Sequence, residues 1–338
     1  MIRRGRTSIR TRNCERQIRR GAQDDIVKVL FWGTPEFAVP PLRALIGEGF
    51  DVAGVVTQPD RPVGRSRSTV EPSAVKRLAL EEQIPVLQPE RPKGDEFISS
   101  LRSLEPDLSV VVAYGHILSQ SVIDLPRQGT INIHASLLPK LRGAAPIQAA
   151  ILEGHAETGV TIMRMVKALD AGPSILQVRT PIPADETYGE LQLRLAEMGA
   201  FALIEALALF ALGQVIETPQ DDSQATYAPK VDRTRTRVSW DADAQTIART
   251  IRAYDPRPGA YATARGGDVK LFGARVTSAA AAGSFAPGEV VTIDASGMAV
   301  ACHGGAVEIS AVQPAGKRRL TPREWAAGRG IAVGERLS

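Results

Sequence analysis

From residue 26 onwards the chain is punctuated by short apolar runs rich in β-branched residues, each closed by a turn residue. IVKVLFWG (26–33), DVAGVVT (51–57), LSVVVAYG (108–115) and TINIHAS (130–136) have the length and composition of strands. Segments with helical spacing, such as 71–83 and 93–104, lie between them. A near-continuous apolar strand is buried on both faces, which happens when helices cover both sides of a parallel sheet. The pattern therefore predicts an α/β fold built on a Rossmann-like, doubly wound, mostly parallel sheet. Further strands are expected over 159–166 and 174–181, and a Leu- and Ala-rich helix over 190–212 closes this region.

The character then changes. Residues 214–229 are polar and turn-prone and read as a linker. Beyond them, short strands near 238–240, 268–276, 288–293, 298–302 and 306–312 are broken by Gly and accompanied by one helix near 243–253. Many short strands with a single helix predict a smaller OB-like β-barrel. The expected organisation is a basic, disordered extension over 1–24, an α/β domain over 25–213, a linker over 214–230 and a barrel domain over 231–338. Ser278 to Gly283 reads as an alanine-rich surface loop without chemistry.

At 338 residues the chain is long enough for two domains with apolar cores. Its net charge of +4 is unevenly placed: residues 1–23 hold eight arginines against Glu15 alone, so the remainder is slightly acidic. That leader reads as an RNA-binding arm, a transit-like peptide or the product of an upstream start codon. Cys14 and Cys302 are the only cysteines and lie far apart, so neither a disulfide framework nor a zinc spacing is available. No apolar run reaches membrane-spanning length, and the leader lacks the apolar core of a secretory signal. A reducing cytoplasmic setting is the expectation.

The stretch INIHASLLPKLRGAAP (131–146) changes the picture from fold to chemistry. Residues two apart on a strand share a face, so Ile131 and Ile133 can enter a core while Asn132 and His134 stand together on the other side. Alone, such an N-x-H is usually an edge strand with one polar face. After the first strand, GTPEF (33–37) offers only Gly33 where a dinucleotide fold would place G-x-G-x-x-G, so NAD is not expected. In LDAGPSIL (169–176), Asp170 sits in a turn that would by itself be an ordinary loop. An amide, an imidazole and a carboxylate brought together would nonetheless make an acyl-transfer set, with donors for an oxyanion and a carboxylate to orient the ring. His116 follows a buried strand, and His155 and His303 lie beside Gly in surface turns, so all three are weaker candidates.

NIHASLLPKLRGAAPIQ (132–148), the Asp-Ala-Gly that follows, TQPDRPVGRSRSTVEPSAVK (57–76), TYAPKVDR with VSW (226–240) and SAVQPAGKRRL (310–320) resemble the folate-dependent formyltransferases. The N-x-H, SLLP and Asp set is similar to the family at large. QPDRP-x-GR and AAPIQ narrow the likeness to the branch that formylates methionyl initiator tRNA for translation initiation. The resemblance implies a formyltransferase fold with a C-terminal tRNA-binding domain, and a donor, 10-formyltetrahydrofolate. It assigns Asn132, His134 and Asp170 to catalysis, with the amide and ring donating to the oxyanion and Asp170 orienting His134 and relaying a proton. It implies folate contacts at Ser136, Leu137, Leu138 and Pro139, together with the backbone of Val112, Tyr114 and Gly115 and the loop holding Leu169. Arg65 matches the arginine that engages the acceptor end of the tRNA, with Arg61 and Arg67 in support, and Lys317 and Arg318 belong to a possible basic track with other C-terminal arginines, Arg252 included. The implied scheme needs no metal, no membrane and no obligate protein partner, and a monomer is expected. Departures are local: the leader has no family counterpart, and SRSTVEP stands where a more lysine-rich run is usual. Two further readings are a relative acting on an amino-sugar nucleotide and an inactive RNA-binding relative, which would have lost one of Asn132, His134 and Asp170.

Overall fold

The computed structural model describes residues 27–63, 69–278 and 285–338. The basic leader, Arg65, Arg67 and most of the alanine-rich loop lie outside the described residues. The described residues form two compact units, one from those up to Ile133 with 164–167 and 203–216, the other from 134–163, 168–202 and those after 216.

In the first unit the order is β1 (Lys28–Gly33), α1 (Val39–Gly47), β2 (Asp51–Val56), a hairpin of β3 (Arg61–Val63) and β4 (Thr69–Glu71), α2 (Ala74–Glu81), β5 (Val86–Leu87), α3 (Asp95–Ser103), β6 (Leu108–Val112), α4 (Gln120–Ile123) and β7 (Thr130–His134). Strands β5, β2, β1, β6 and β7 lie side by side in that order and all run parallel. The expected strands are present, two or three residues shorter at some ends. Every residue of β6 is buried, as the continuous apolar run requires. Trp32 packs edge-on against Tyr114, with ring centroids 5.2 Å apart, and its indole N–H donates to Ser109 Oγ at 3.2 Å. That bond accounts for a serine inside an apolar strand: a buried indole donor needs an acceptor. Because the strands are parallel, their carboxyl ends share one rim, and β7 delivers Asn132 and His134 there.

The chain continues from the end of β7 through β8 (Arg142–Gly143), α5 (Pro146–Leu152), β9 (Glu157–Arg164), β10 (Ser174–Pro181), α6 (Tyr188–Ala211), β11 (Tyr227–Ala228), α7 (Ala244–Ala253), β12 (Ala260–Ala264), β13 (Gly267–Thr277), β14 (Val290–Ile293), β15 (Met298–Cys302), β16 (Gly305–Pro314) and α8 (Pro322–Ala327), all in the second unit except Arg164 and residues 203–211. Strands β9 and β10 are antiparallel, and β8 pairs with β11. The C-terminal strands form a five-stranded antiparallel sheet in the order β12-β13-β16-β15-β14. Helix α7 starts at Asp243, whose side chain accepts from Thr246 N, and places Ile247, Ala248 and Ile251 in one core with Leu271, Val300 and Ile309.

The strand expected near 238–240 is absent: Val238 N donates to Tyr261 O at 2.9 Å, but no ladder follows. Val238 and Trp240 alternate with Ser239 because both are buried in the same core, and burial alone produced the period of two. Among the described residues, no helix is long and apolar enough to cross a membrane.

Candidate active site

His134 is the last residue of β7 and only 5% exposed. Its ring Nε2 lies 2.9 Å from Leu141 O. A carbonyl oxygen can only accept, so Nε2 carries a hydrogen, and Nδ1 is left facing Asp170 Oδ2 at 3.7 Å. Asp170 holds a left-handed backbone, φ 48°, which Asp tolerates better than most residues. Its Oδ2 accepts from Gly143 N at 2.8 Å. The ring and the carboxylate are thus both held by the three residues 141–143. Asn132, partly buried and paired with Val111, sits two positions before His134 on the same side of β7.

Segment 141–143 is itself fixed from the stretch read as a linker. Leu141 N donates to Thr226 Oγ1 at 2.9 Å, Arg142 N to Thr226 O at 2.8 Å, and Ala144 N to Ala228 O at 2.9 Å. Gly143 has φ 115°, and a Cβ there would come within 2.7 Å of Ala228 O, so the close approach of β11 requires glycine. Arg142 is buried, and its guanidinium donates to Gln220 Oε1 from Nε at 3.0 Å and from Nη2 at 2.7 Å. The same Nη2 reaches Asp222 Oδ1 at 2.7 Å. Gln220 Nε2 in turn donates to Asp170 O at 2.8 Å and Gly172 O at 2.7 Å. Neither Arg142 nor Gln220 stood out in the sequence; RGAAP was visible only as part of a motif, and Gln220 was hidden in a polar run.

The turn from Ser136 to Pro139 follows directly. Ser136 Oγ donates to Lys140 O at 2.6 Å, Thr161 Oγ1 donates to Ser136 O at 2.7 Å, and Gln177 Nε2 donates to Leu138 O at 2.7 Å. A cavity of about 380 Å³ opens beside it, lined by Leu137, Leu138, Pro139, His155, Gln177 and Arg179 among others. Gly159 on β9 lies under this turn: a Cβ would stand 2.1 Å from Val178 O and 2.6 Å from Leu137 Cδ2. Gly159→Ala should therefore destabilise the protein by about 1–3 kcal/mol, as overpacking does. Denaturant melts check this; an unchanged midpoint would show that the strand can yield.

The other expected folate contacts in the first unit meet the rim at the end of β6. Val112 is buried, and Ala113 and Gly115 have φ 48° and 89°. Tyr114 O accepts from Gln58 Nε2 at 3.1 Å and from Thr34 Oγ1 at 3.2 Å. The Tyr114 ring points into the core, its hydroxyl finds no partner among the described residues, and burial pushes the phenol up to about 12. Leu169, beside Asp170, is 59% exposed.

Of the expected tRNA contacts, Arg61 is exposed and its guanidinium hydrogen-bonds Gln58 Oε1. The neighbouring Asp60 is gripped by Lys76 Nζ at 2.6 Å and Gln88 Nε2 at 2.7 Å, and these two hydrogen bonds hold its carboxyl below the usual range. Both groups root the segment that leads to Arg65 and Arg67. Lys317 and Arg318 are exposed, with Arg318 Nη2 also 2.8 Å from Glu324 Oε1. Arg252 is buried and leaves the basic track, its Nη1 donating to Glu186 O at 3.2 Å. His116 and His303 are exposed, and His155 lies 3.0 Å from Glu153 Oε2.

Residues 27–207 match the model of the family described as formyl transferase, and residues 230–330 match that of the formyl transferase C-terminal domain. A methionyl-tRNA formyltransferase of Moorella thermoacetica is 44% identical over 311 residues, 92% of this chain and 99% of the relative. One of Pseudomonas fluorescens is 48% identical over 292 residues, 86% of this chain and 90% of the relative. Among solved structures, HypX from Aquifex aeolicus in complex with tetrahydrofolic acid matches with TM-score 0.64 and 20% identity, covering 92% of this chain and 48% of that one. WlaRD, a sugar 3N-formyl transferase crystallised with dTDP and 5-N-formyl-THF, matches with TM-score 0.62 and 18% identity, covering 87% of this chain and 99% of that one. These two likenesses bear on the fold alone.

Proposed function

The chain belongs to the formyl transferase family and formylates the methionine carried by initiator tRNA, and we propose that Asn132, His134 and Asp170 perform the transfer. The donor is 10-formyltetrahydrofolate. The methionyl α-amine attacks the formyl carbon, and the carbonyl oxygen becomes an oxyanion that Asn132 and the doubly protonated His134 ring stabilise by donation, the ring from Nδ1 because its Nε2–H is held by Leu141 O. Asp170, 3.7 Å from Nδ1, balances the charge of that ring and passes the proton released by the attacking nitrogen towards N10, the atom that leaves when the C–N10 bond breaks. The observation that carries this reading is the Asp170 Oδ2 to His134 Nδ1 separation of 3.7 Å, held from both sides by Leu141 O and Gly143 N.

The folate lies along Ser136, Leu137, Leu138 and Pro139, with Leu169 and the backbone of Val112, Tyr114 and Gly115 as further contacts. Arg61, Arg65 and Arg67 meet the acceptor end of the tRNA, while Lys317 and Arg318 meet phosphates further along, where cationic contacts supply affinity. In the division into an α/β domain over 25–213 and a smaller domain over 231–338, the donor site and the acceptor-end arginines fall in the first and Lys317 and Arg318 in the second. The protein works as a cytoplasmic monomer.

Incubation with 10-formyltetrahydrofolate and either methionyl initiator tRNA or an amino-sugar nucleotide tests the reading. Label from the formyl group is expected on the tRNA alone. Label on the nucleotide sugar would reassign the acceptor, and label on neither would favour an inactive RNA-binding relative.

A further inference from the structure

We propose that Gln220 is a positioning residue for the transfer: its amide, clamped by the buried Arg142 guanidinium, fixes the turn that presents the Asp170 carboxylate to His134. The proposal rests on the reading that Asp170 and His134 perform the transfer, and it adds a residue from a stretch of sequence that looks like a connector.

A guanidinium has only donors, and Arg142 is 3% exposed, so its N–H groups must find acceptors inside the fold. Gln220 Oε1 takes two of them. That fixes which end of the amide is which. A flipped amide would set its NH2 against the guanidinium and its oxygen against two carbonyls. With Oε1 so committed, Nε2 points at Asp170 O and Gly172 O and closes the turn 170–172 from its backbone side. A left-handed backbone carries strain even at a residue that tolerates it, and these two hydrogen bonds hold Asp170 there.

The chain connectivity makes the clamp specific. Arg142 stands between Leu141, whose carbonyl receives His134 Nε2, and Gly143, whose N–H binds Asp170 Oδ2. One side chain therefore ties the backbone that holds the ring to the backbone that bears the carboxylate, with Gln220 as the joint. Asp222 meets Nη2 from the solvent side, where its side chain is 81% exposed and water can replace it.

The test is a pair of variants with a cycle. Gln220→Ala is expected to lower kcat on the order of 10- to 100-fold, as small misplacements of reacting groups do, with KM for donor and tRNA each within about twofold. Gln220→Glu keeps an acceptor for Arg142 and nearly the same shape but turns an oxygen towards both carbonyls. It should show the same kcat loss in a protein that melts cooperatively. In the Asp170→Asn background, Gln220→Ala should cost almost nothing more, because its effect acts through that carboxylate. A kcat within twofold of the parent in the folded fraction of Gln220→Glu, a loss carried by KM, or losses that multiply across the cycle would each overturn the proposal. If Asp170→Asn itself retains activity, the failure belongs to the catalytic reading instead.

Discussion

Asp170→Asn is expected to lower kcat by about 10³-fold, within the range that general acid–base groups supply, with binding of methionyl initiator tRNA changed less than twofold. The substitution is a clean probe here. Asn tolerates the left-handed φ of 48°, has nearly the same volume, and can still accept from Gly143 N through its oxygen. What it removes is the charge 3.7 Å from His134 Nδ1 and the capacity to take up a proton. Single-turnover transfer with saturating donor measures the loss, and filter retention of the tRNA measures binding. A kcat within tenfold of the parent would mean that protons leave the attacking nitrogen by another route. Equal losses of rate and binding would mean that Asp170 shapes the tRNA surface.

Asn132→Ala should lower kcat by about 10²- to 10³-fold, the usual cost of removing one oxyanion donor. Because Asn132 is only partly buried and its strand pairing within β7 is made by the backbone, truncation should leave the melting midpoint almost unchanged. The division between kcat and KM carries the interpretation. A loss in kcat alone places the amide against charge that develops during the reaction. A rise in KM for the donor at constant kcat would instead make Asn132 a ground-state contact to the formyl oxygen and shift the oxyanion burden to His134.

Most of the α/β framework was readable because its strands obey a rule that burial enforces. A strand covered on both faces has nowhere to put a polar residue, so LSVVV and KVLFWG declare themselves, and even Ser109 is explained once the indole of Trp32 claims its hydroxyl. The same rule misled near 238–240, where Val238 and Trp240 are buried by packing without a ladder. The helices at 39–47 and 146–152 were not marked out. Both begin with prolines at the first helical positions, which in sequence read as turn signals.

The site was legible in a different way. Asn132 and His134 share a face by strand period, but nothing in the local pattern delivers Asp170, which lies 36 residues beyond His134. Only the resemblance to a family joined the carboxylate to the ring. Arg142 and Gln220 show the limit. A buried guanidinium is uncommon, and its burial depends on partners some 80 residues away. Polar residues at 214–229 look like solvated chain unless it is known that a cation waits underneath.

The backbone between Leu141 and Gly143 acts as a jig, with one side gripping the imidazole and the other the carboxylate. Thermal jitter of that strand is therefore common-mode: it carries both groups together and cancels in the gap between them. Tolerance in proton transfer is set by that gap, so β8 can drift with β11 while the spacing that governs the chemistry stays true.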